Sequence, residues 1–298
     1  MPTSQGPLLA RRRLGVELRN LREEAKLRLD DVATQLMISS SKLSRLENGQ
    51  SIPQQRDVRD LINFYQVAGT PLAERLVRWT REGRRQGWWM DDTTSHVVGE
   101  PLDTYLALES GASVMRSFEP AVLPGLLQTA DYARALLREL QPRHTDTELD
   151  PLVKIRLRRK ELLLRTEEPS RLLAVVDECT LRRVVGSKDI MRHQLEALIK
   201  FSQRPNVTLQ VFPFDAGAHE AMTAKFTVFQ FADDLDRDVV HLESHLGDRY
   251  LEQESYVLRY LRIFDSVSHR SLEPAASREF IHQTIQVYFT TKDGEREA

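Results

Sequence analysis

Leu29 to Pro53 reads LDDVATQLMISSSKLSRLENGQSIP. Val32, Ala33 and Leu36 recur at the spacing that gathers apolar side chains on one face of a helix, so Leu29–Met37 is expected to be a short helix. Ile38 and Ser39 then form a tight turn. Ser39 suits the N-cap of a second helix, because its hydroxyl can accept a bond from an amide two or three residues on. That helix is expected over Ser40 to about Glu47. Leu43 and Leu46, three apart, point inward, while Ser40, Ser41, Lys42, Ser44 and Arg45 stay outside. Asn48-Gly49 ends it, since glycine adopts the left-handed conformation such a stop needs.

Two helices across a tight turn form the unit whose second member enters the major groove of DNA. The outer face of the second helix is short, polar and cationic. Small serines allow close approach to base edges, and Arg45 can reach the O6 and N7 of a guanine with two bonds. Asn48 and amides near the helix ends suit phosphate oxygens. A plain surface hairpin of helices fits the polar face equally well.

VATQLMISSSKLSRLENGQSIP resembles the phage-repressor, or xenobiotic-response-element, type of helix-turn-helix. The shared features are Val32-Ala33, Ser39, Ser44 and Leu46-Glu47-Asn48-Gly49 with a proline soon after. The resemblance covers roughly residues 14 to 68. It implies double-stranded DNA as partner, with Ser39 at the turn, base reading by Ser40, Ser41 and Arg45, and Lys42 and Asn48 near phosphates; Ser44 is a further DNA-binding candidate. Family members often carry Ser or Thr followed by Gln where this chain has Arg28-Leu29, and Leu29 cannot make the polar bridge of that Gln.

The 298 residues suffice for about two domains. The charge distribution is uneven. Residues 1–90 hold 16 Lys and Arg against 10 Asp and Glu, and the remainder holds 26 against 34. A basic beginning with an acidic remainder fits a DNA-binding module joined to a part that does not touch DNA. No apolar run approaches the roughly 18 residues of a membrane span. MPTSQGPLLARRRLG places its arginines after a short apolar stretch, the reverse of a secretory signal. The single cysteine, Cys179, permits no intrachain disulfide and fits a reducing compartment. A cytoplasmic protein is expected, without a membrane partner.

Working outward, residues 1–13 read as a flexible arm whose Arg11–Arg13 either contact DNA or begin a solvated helix. Leu14, Leu18, Leu21 and Ala25 form the stripe of a helix over Leu14–Lys26, and Val58, Leu61, Ile62 and Tyr65 that of another over residues 53–67. The helix-turn-helix domain is thus set at residues 14–70. Residues 71–93 read as a basic linker, helical over 72–86. Trp88-Trp89 are expected to pack at a domain junction or a dimer contact. The larger domain is set at 94–290 and a frayed tail at 291–298. Within the larger domain helices are expected over 102–118, 129–140, 152–166, 187–202, 254–267 and 275–288. Strands are expected over 121–123, 171–177, 207–212, 225–231 and 238–243. The fold class is therefore multidomain: an all-α helix-turn-helix domain followed by a larger mixed α/β (α+β) domain.

YLALESGASVMRSFEPAVLPGLLQTADYARALL (Tyr105–Leu137) resembles the opening of an actinobacterial domain of unknown function. DECTLRRVVGS, RPNVTLQVFPFDAGAH and KFTVFQF agree with it further on. That domain typically follows this kind of helix-turn-helix in regulators of streptomycetes and their relatives. Some of these are paired with a small neighbour-encoded protein in an antitoxin-like arrangement. The resemblance implies regulation and names no reaction.

Chemistry offers little else. His241, Glu243 and His245 share a strand face and could hold a metal, but paired histidines at this spacing arise easily. No P-loop, G-x-G-x-x-G or G-x-S-x-G elbow is present. The expectation is a DNA-binding transcription regulator and not an enzyme, with no cofactor, metal or catalytic residue. It would act as a homodimer, with a larger domain that senses a small-molecule effector or binds a protein partner. The alternative is an antitoxin-like module that binds a small neighbour-encoded protein and regulates its own promoter.

Overall fold

The computed structural model of the chain describes residues 7–233, 236–244 and 247–289. Its contacts divide the chain between two units. The first runs to Asp91 and takes in Val98–Gly111 and Ala232–Asp236. The second holds Asp92–Val97, Ala112–Phe231 and the residues from Arg237 onward.

The first unit is helical: α1 (Pro7–Glu24), α2 (Leu29–Gln35), α3 (Ser40–Glu47), α4 (Gln55–Phe64), α5 (Pro71–Gly83) and α6 (Glu100–Gly111). Leu14, Leu18, Val32, Leu43, Leu61 and Leu76 are completely buried in one core. At roughly 1.5–3 kcal/mol for each fully buried large aliphatic side chain, this core is the main force holding the short helices in place. Two expectations change here. The arm expected over residues 1–13 is, from Pro7 on, the first turns of α1, because Leu9 and Ala10 find apolar partners and are buried. The linker helix is a core element, since Ala73, Leu76 and Trp79 of α5 pack into the same cluster. Trp89 is buried in this unit and donates to Asp103 Oδ1 at 2.6 Å, with Trp88 edge-on to it at 5.4 Å.

Several helices of this unit stop by the same device. After α2 the amide of Ile38 bonds Ala33 O at 3.0 Å and that of Met37 bonds Thr34 O at 3.2 Å. This pattern requires a left-handed residue at the stop. Met37, at φ 53°, supplies it, so α2 ends before the residue the apolar pattern assigned to it. Gly49, at φ 67°, does the same after α3.

The second unit is mixed. It contains β1 (Val114–Glu119), α7 (Ala130–Leu140), α8 (Asp146–Arg158), α9 (Glu161–Leu164), β2 (Arg171–Asp177), α10 (Glu178–Arg182), α11 (Lys188–Phe201) and β3 (Val207–Phe212). β4 (Phe226–Gln230), β5 (Val239–Leu242), β6 (Arg249–Leu251), α12 (Glu254–Arg270) and α13 (Pro274–Thr284) follow, the last continuing as a π-helical turn, Ile285–Phe289. The sheet order is β3-β2-β1-β4-β5-β6. β1, β2 and β3 are parallel and the other pairings antiparallel. Helical crossovers carry the chain outward from β1 to β3, after which it returns to the other flank of β1 with β4. The chain thus leaves β1 on one flank and returns on the other with β4, which runs antiparallel to it.

One sheet face is apolar: Phe118, Val175, Phe226, Val228 and Val240 pack with Val257, Phe264 and Val267 of α12. The outward edge of β3 is occupied. Val211 O accepts from the amide of Leu272 at 2.9 Å, and Val211 N–H donates to Ser277 Oγ at 3.0 Å.

The helix expected over 102–118 is α6 followed by β1. The helical period runs out at Gly111, and Ser113 N–H already bonds Gln230 O at 2.9 Å, opening the β1–β4 ladder. The strand expected at 121–123 is a loop, because Pro120 and Pro124 have no amide to give a ladder. Leu123 N–H is met instead by the Tyr132 hydroxyl at 3.3 Å. The helix expected over 152–166 begins earlier as α8, started by Glu148 Oε2 accepting from Thr145 N–H at 2.7 Å, and tolerates Pro151 near its beginning. α10 and β6 were not foreseen, being too short to show a period. Among the described residues no helix is long and apolar enough to cross a membrane. The tail at 291–298 lies outside the described residues.

Candidate nucleic-acid interface

α3 is held by α1 beneath it. Gly15 lies so close that an added Cβ would meet Glu47 O at 2.6 Å and Leu46 O at 2.7 Å. Glu47, 3% exposed at the last position of α3, accepts two bonds from Arg22, at 2.8 and 2.9 Å. Arg19 Nε stands 3.7 Å from the same carboxylate. Beside it the Tyr65 hydroxyl is buried without a hydrogen-bond partner, and burial, then the Glu47 charge, push its pKa up to about 12. This ion pair was not foreseen. The motif shows Glu47 at the end of a helix, but its partners lie 25 and 28 residues upstream, where they look like solvated arginines.

At 100° per residue, Ser40, Ser41, Ser44, Arg45 and Asn48 fall within an arc of roughly 140° on the outer side of α3. Each expected residue has a definite place there. Ser39 is the N-cap, its Oγ accepting from Lys42 N–H at 3.2 Å. Ser40 Oγ donates to Asp30, at the start of α2. Ser41 is exposed, 3.2 Å from Ser39 Oγ. Ser44 Oγ accepts from Asn48 Nδ2 at 3.3 Å, and Asn48 Oδ1 accepts from Arg19. Lys42 leaves the outer face for the α4 flank, where Nζ pairs with Asp57 at 2.6 Å. Arg45 is exposed, and among the described residues its guanidinium has no hydrogen-bond or ion-pair partner.

The candidate interface is therefore a row of small hydroxyls with an unengaged guanidinium at one side. Its remaining cation is parked on a carboxylate. A half-exposed pair such as Lys42–Asp57 contributes about 0–1 kcal/mol, so Lys42 can exchange Asp57 for a phosphate at small cost. The arm arginines are not available in the same way. Arg13 is buried and paired with Asp233 at 3.1 Å and with Asp236, and Arg11 Nε donates to Gly83 O at 2.7 Å.

A second candidate site lies on the sheet of the second unit. The register aligns Ser117, Thr227, His241 and Tyr250 across β1, β4, β5 and β6, on the face away from α12. One step toward the carboxyl end of β1, Lys225 Nζ reaches Glu243 Oε2 at 2.9 Å and Glu119 Oε2 at 3.5 Å. Glu119, Ser117, Thr227, His241, Arg159 and Gln128 are all buried. Burial pushes the Glu119 carboxyl above its usual range, against the pull of Lys225, while Lys225 holds Glu243 below its own. His241 Nε2 stands 3.4 Å from Asp248, and burial lowers its pKa. Ser117 Oγ is buried with no hydrogen-bond partner, and Glu119 Oε2 has only the ammonium at 3.5 Å.

The metal reading joined His241 and Glu243 to His245, which lies outside the described residues. Of the two described members, Glu243 is engaged by Lys225 and His241 by Asp248, and no metal-binding group of His, Cys, Asp and Glu occurs among the described residues. Cys179 Sγ donates to Pro120 O at 2.8 Å, and burial pushes its pKa up to about 11, so the thiol stays protonated at neutral pH.

Comparison with known proteins finds two families along the chain. Residues 13–76 match the helix-turn-helix domain family. Residues 102–283 match a domain of unknown function, DUF5753. No curated protein and no solved structure matches the chain. A helix-turn-helix domain is the mark of a DNA-binding regulator. By the domain that spans most of its length, the chain belongs to the DUF5753 family, here carried behind a helix-turn-helix domain.

Proposed function

We propose that the chain is a sequence-specific transcription regulator of the phage-repressor type, which lays α3 in the major groove of its operator. Ser40, Ser41, Ser44 and Arg45 read base edges. Lys42, released from Asp57, and Asn48 take phosphates, and Ser39 fixes the start of the helix. The observation that carries this reading is the exposed, unengaged guanidinium of Arg45 beside small hydroxyls, on a helix locked by the buried Glu47–Arg22 pair. Two copies of the chain would present two such helices to half-sites about one DNA turn apart.

The test is selection of bound duplexes from a random pool by the full-length chain, repeated across salt concentration. A palindromic consensus with steep salt dependence is expected. Arg45→Ala is expected to relax the preference at one position of each half-site and to cost roughly 1–3 kcal/mol on the consensus. An unchanged profile would remove Arg45 from the reading face.

The second unit is the regulatory part of this proposal. Ser117 and Glu119, buried without full partners, support a small polar effector over a purely protein-binding role.

A further inference from the structure

Arg59 on α4 and Arg78, Arg81 and Arg85 on α5 border one hollow of about 600 Å³. All four are exposed, and among the described residues none of their guanidiniums has an ion-pair or hydrogen-bond partner. The floor is apolar. Ile62 and Ala73 are the outer limit of the core, 6% and 8% exposed, and Val77 is 38% exposed. Glu74 and Glu82 also line the hollow, which leaves it two positive charges in excess. Four unpaired guanidiniums around an apolar floor make a surface that attracts carboxylates and also gains from burying aliphatic groups. A bare phosphate would use only the first property.

The position of the hollow separates it from the DNA-reading face. On α4, Asp57 turns toward α3, where it holds Lys42. Arg59, two residues on, lies about 160° around the helix axis from Asp57. The hollow thus opens on the flank of α4 opposite α3. A partner seated there leaves Ser41, Arg45 and Lys42 uncovered.

We infer that this hollow is a docking groove for an acidic amphipathic segment of a partner protein, taken up by Arg59, Arg78, Arg81 and Arg85 with aliphatic side chains resting on Ile62, Ala73 and Val77. The inference does not depend on which DNA sequence the chain reads or on what the second unit senses.

The test is fluorescence anisotropy with the full-length chain and a labelled 15-residue peptide with leucines at helical spacing and glutamates between them. The controls are its lysine counterpart, a leucine-free glutamate peptide and a labelled duplex. The peptide is expected to bind the wild-type chain. Binding should weaken by roughly tenfold or more in Arg78→Glu/Arg81→Glu, since reversed charges at a contact repel. Val77→Ser should weaken it by a smaller factor, while duplex binding by both variants stays within about twofold. Unaltered tryptophan fluorescence verifies that the variants are folded. Equal binding of the leucine-free peptide, or charge reversal without effect, overturns the proposal. Loss of duplex binding in parallel with peptide binding overturns it too, and assigns the guanidiniums to the DNA footprint.

Discussion

Replacing Arg22 by Ala tests what holds α3 in place. Glu47 would be left at 3% exposure with both of its close bonds removed. Breaking a buried pair by deleting one partner costs about 3–5 kcal/mol. Arg22 retains 13% side-chain exposure and Arg19 remains 3.7 Å away, so the lower end applies, about 3 kcal/mol. The chain has three tryptophans, Trp79, Trp88 and Trp89, all in the first unit. Their fluorescence therefore follows unfolding of that unit within the full-length chain. For a unit of this size urea acts with a slope of about 1–1.5 kcal/mol per molar, so the midpoint should fall by about 2–3 M. Glu47→Gln keeps the shape and leaves a guanidinium near enough to the surface to rehydrate, and should cost only about 1–2 kcal/mol. A shift below about 0.5 M for Arg22→Ala, or equal shifts for the two variants, would refute the reasoning.

Gly15→Ala should cost about 3 kcal/mol in the same urea assay and weaken DNA binding with it, because the new methyl meets the α3 backbone at 2.6 Å and cannot be accommodated by a side-chain rotation. Met37→Gly should stabilise the first unit by about 0.5–1 kcal/mol, as Met37 holds a left-handed conformation while 92% exposed and so gives up no packing. Glu119 makes the second unit sensitive to pH. Its folded pKa lies above the ordinary 4.5, so the folded state binds the extra proton and stability falls as pH rises through the raised value. Thermal unfolding followed by circular dichroism should therefore show a smaller loss of stability between about pH 5 and pH 8 for Glu119→Gln than for wild type.

The local geometry of the candidate interface was legible in the sequence. Ser39 caps, Leu43 and Leu46 point inward and Gly49 stops the helix, and each of these is decided within a few residues. What depends on distant partners was not legible. Glu47 looks like any helix-terminal acid until Arg19 and Arg22 are brought beneath it, and Lys42 looks free until α4 presents Asp57. In the second unit, β2 and β3 were readable as apolar runs because they are buried on both faces. β1 was not, since Arg116 and Ser117 interrupt its apolar pattern. Arg116 is tied to Gln230 and Asp265 and Ser117 faces the polar row, which are tertiary facts. The short α10 and β6 exist because the sheet and its crossovers hold them, and their few residues carry no period of their own.

The occupied rim of β3 restricts how copies of the chain can associate. Strands at a sheet border ordinarily offer a template on which another chain can add, leading to swapped dimers or to fibres. Here the donor and acceptor of Val211 are committed to Ser277 and Leu272 of the same chain. A foreign strand would have to unseat the start of α13 before it could pair there. Self-association by lengthening the sheet beyond Val211 is thereby disfavoured.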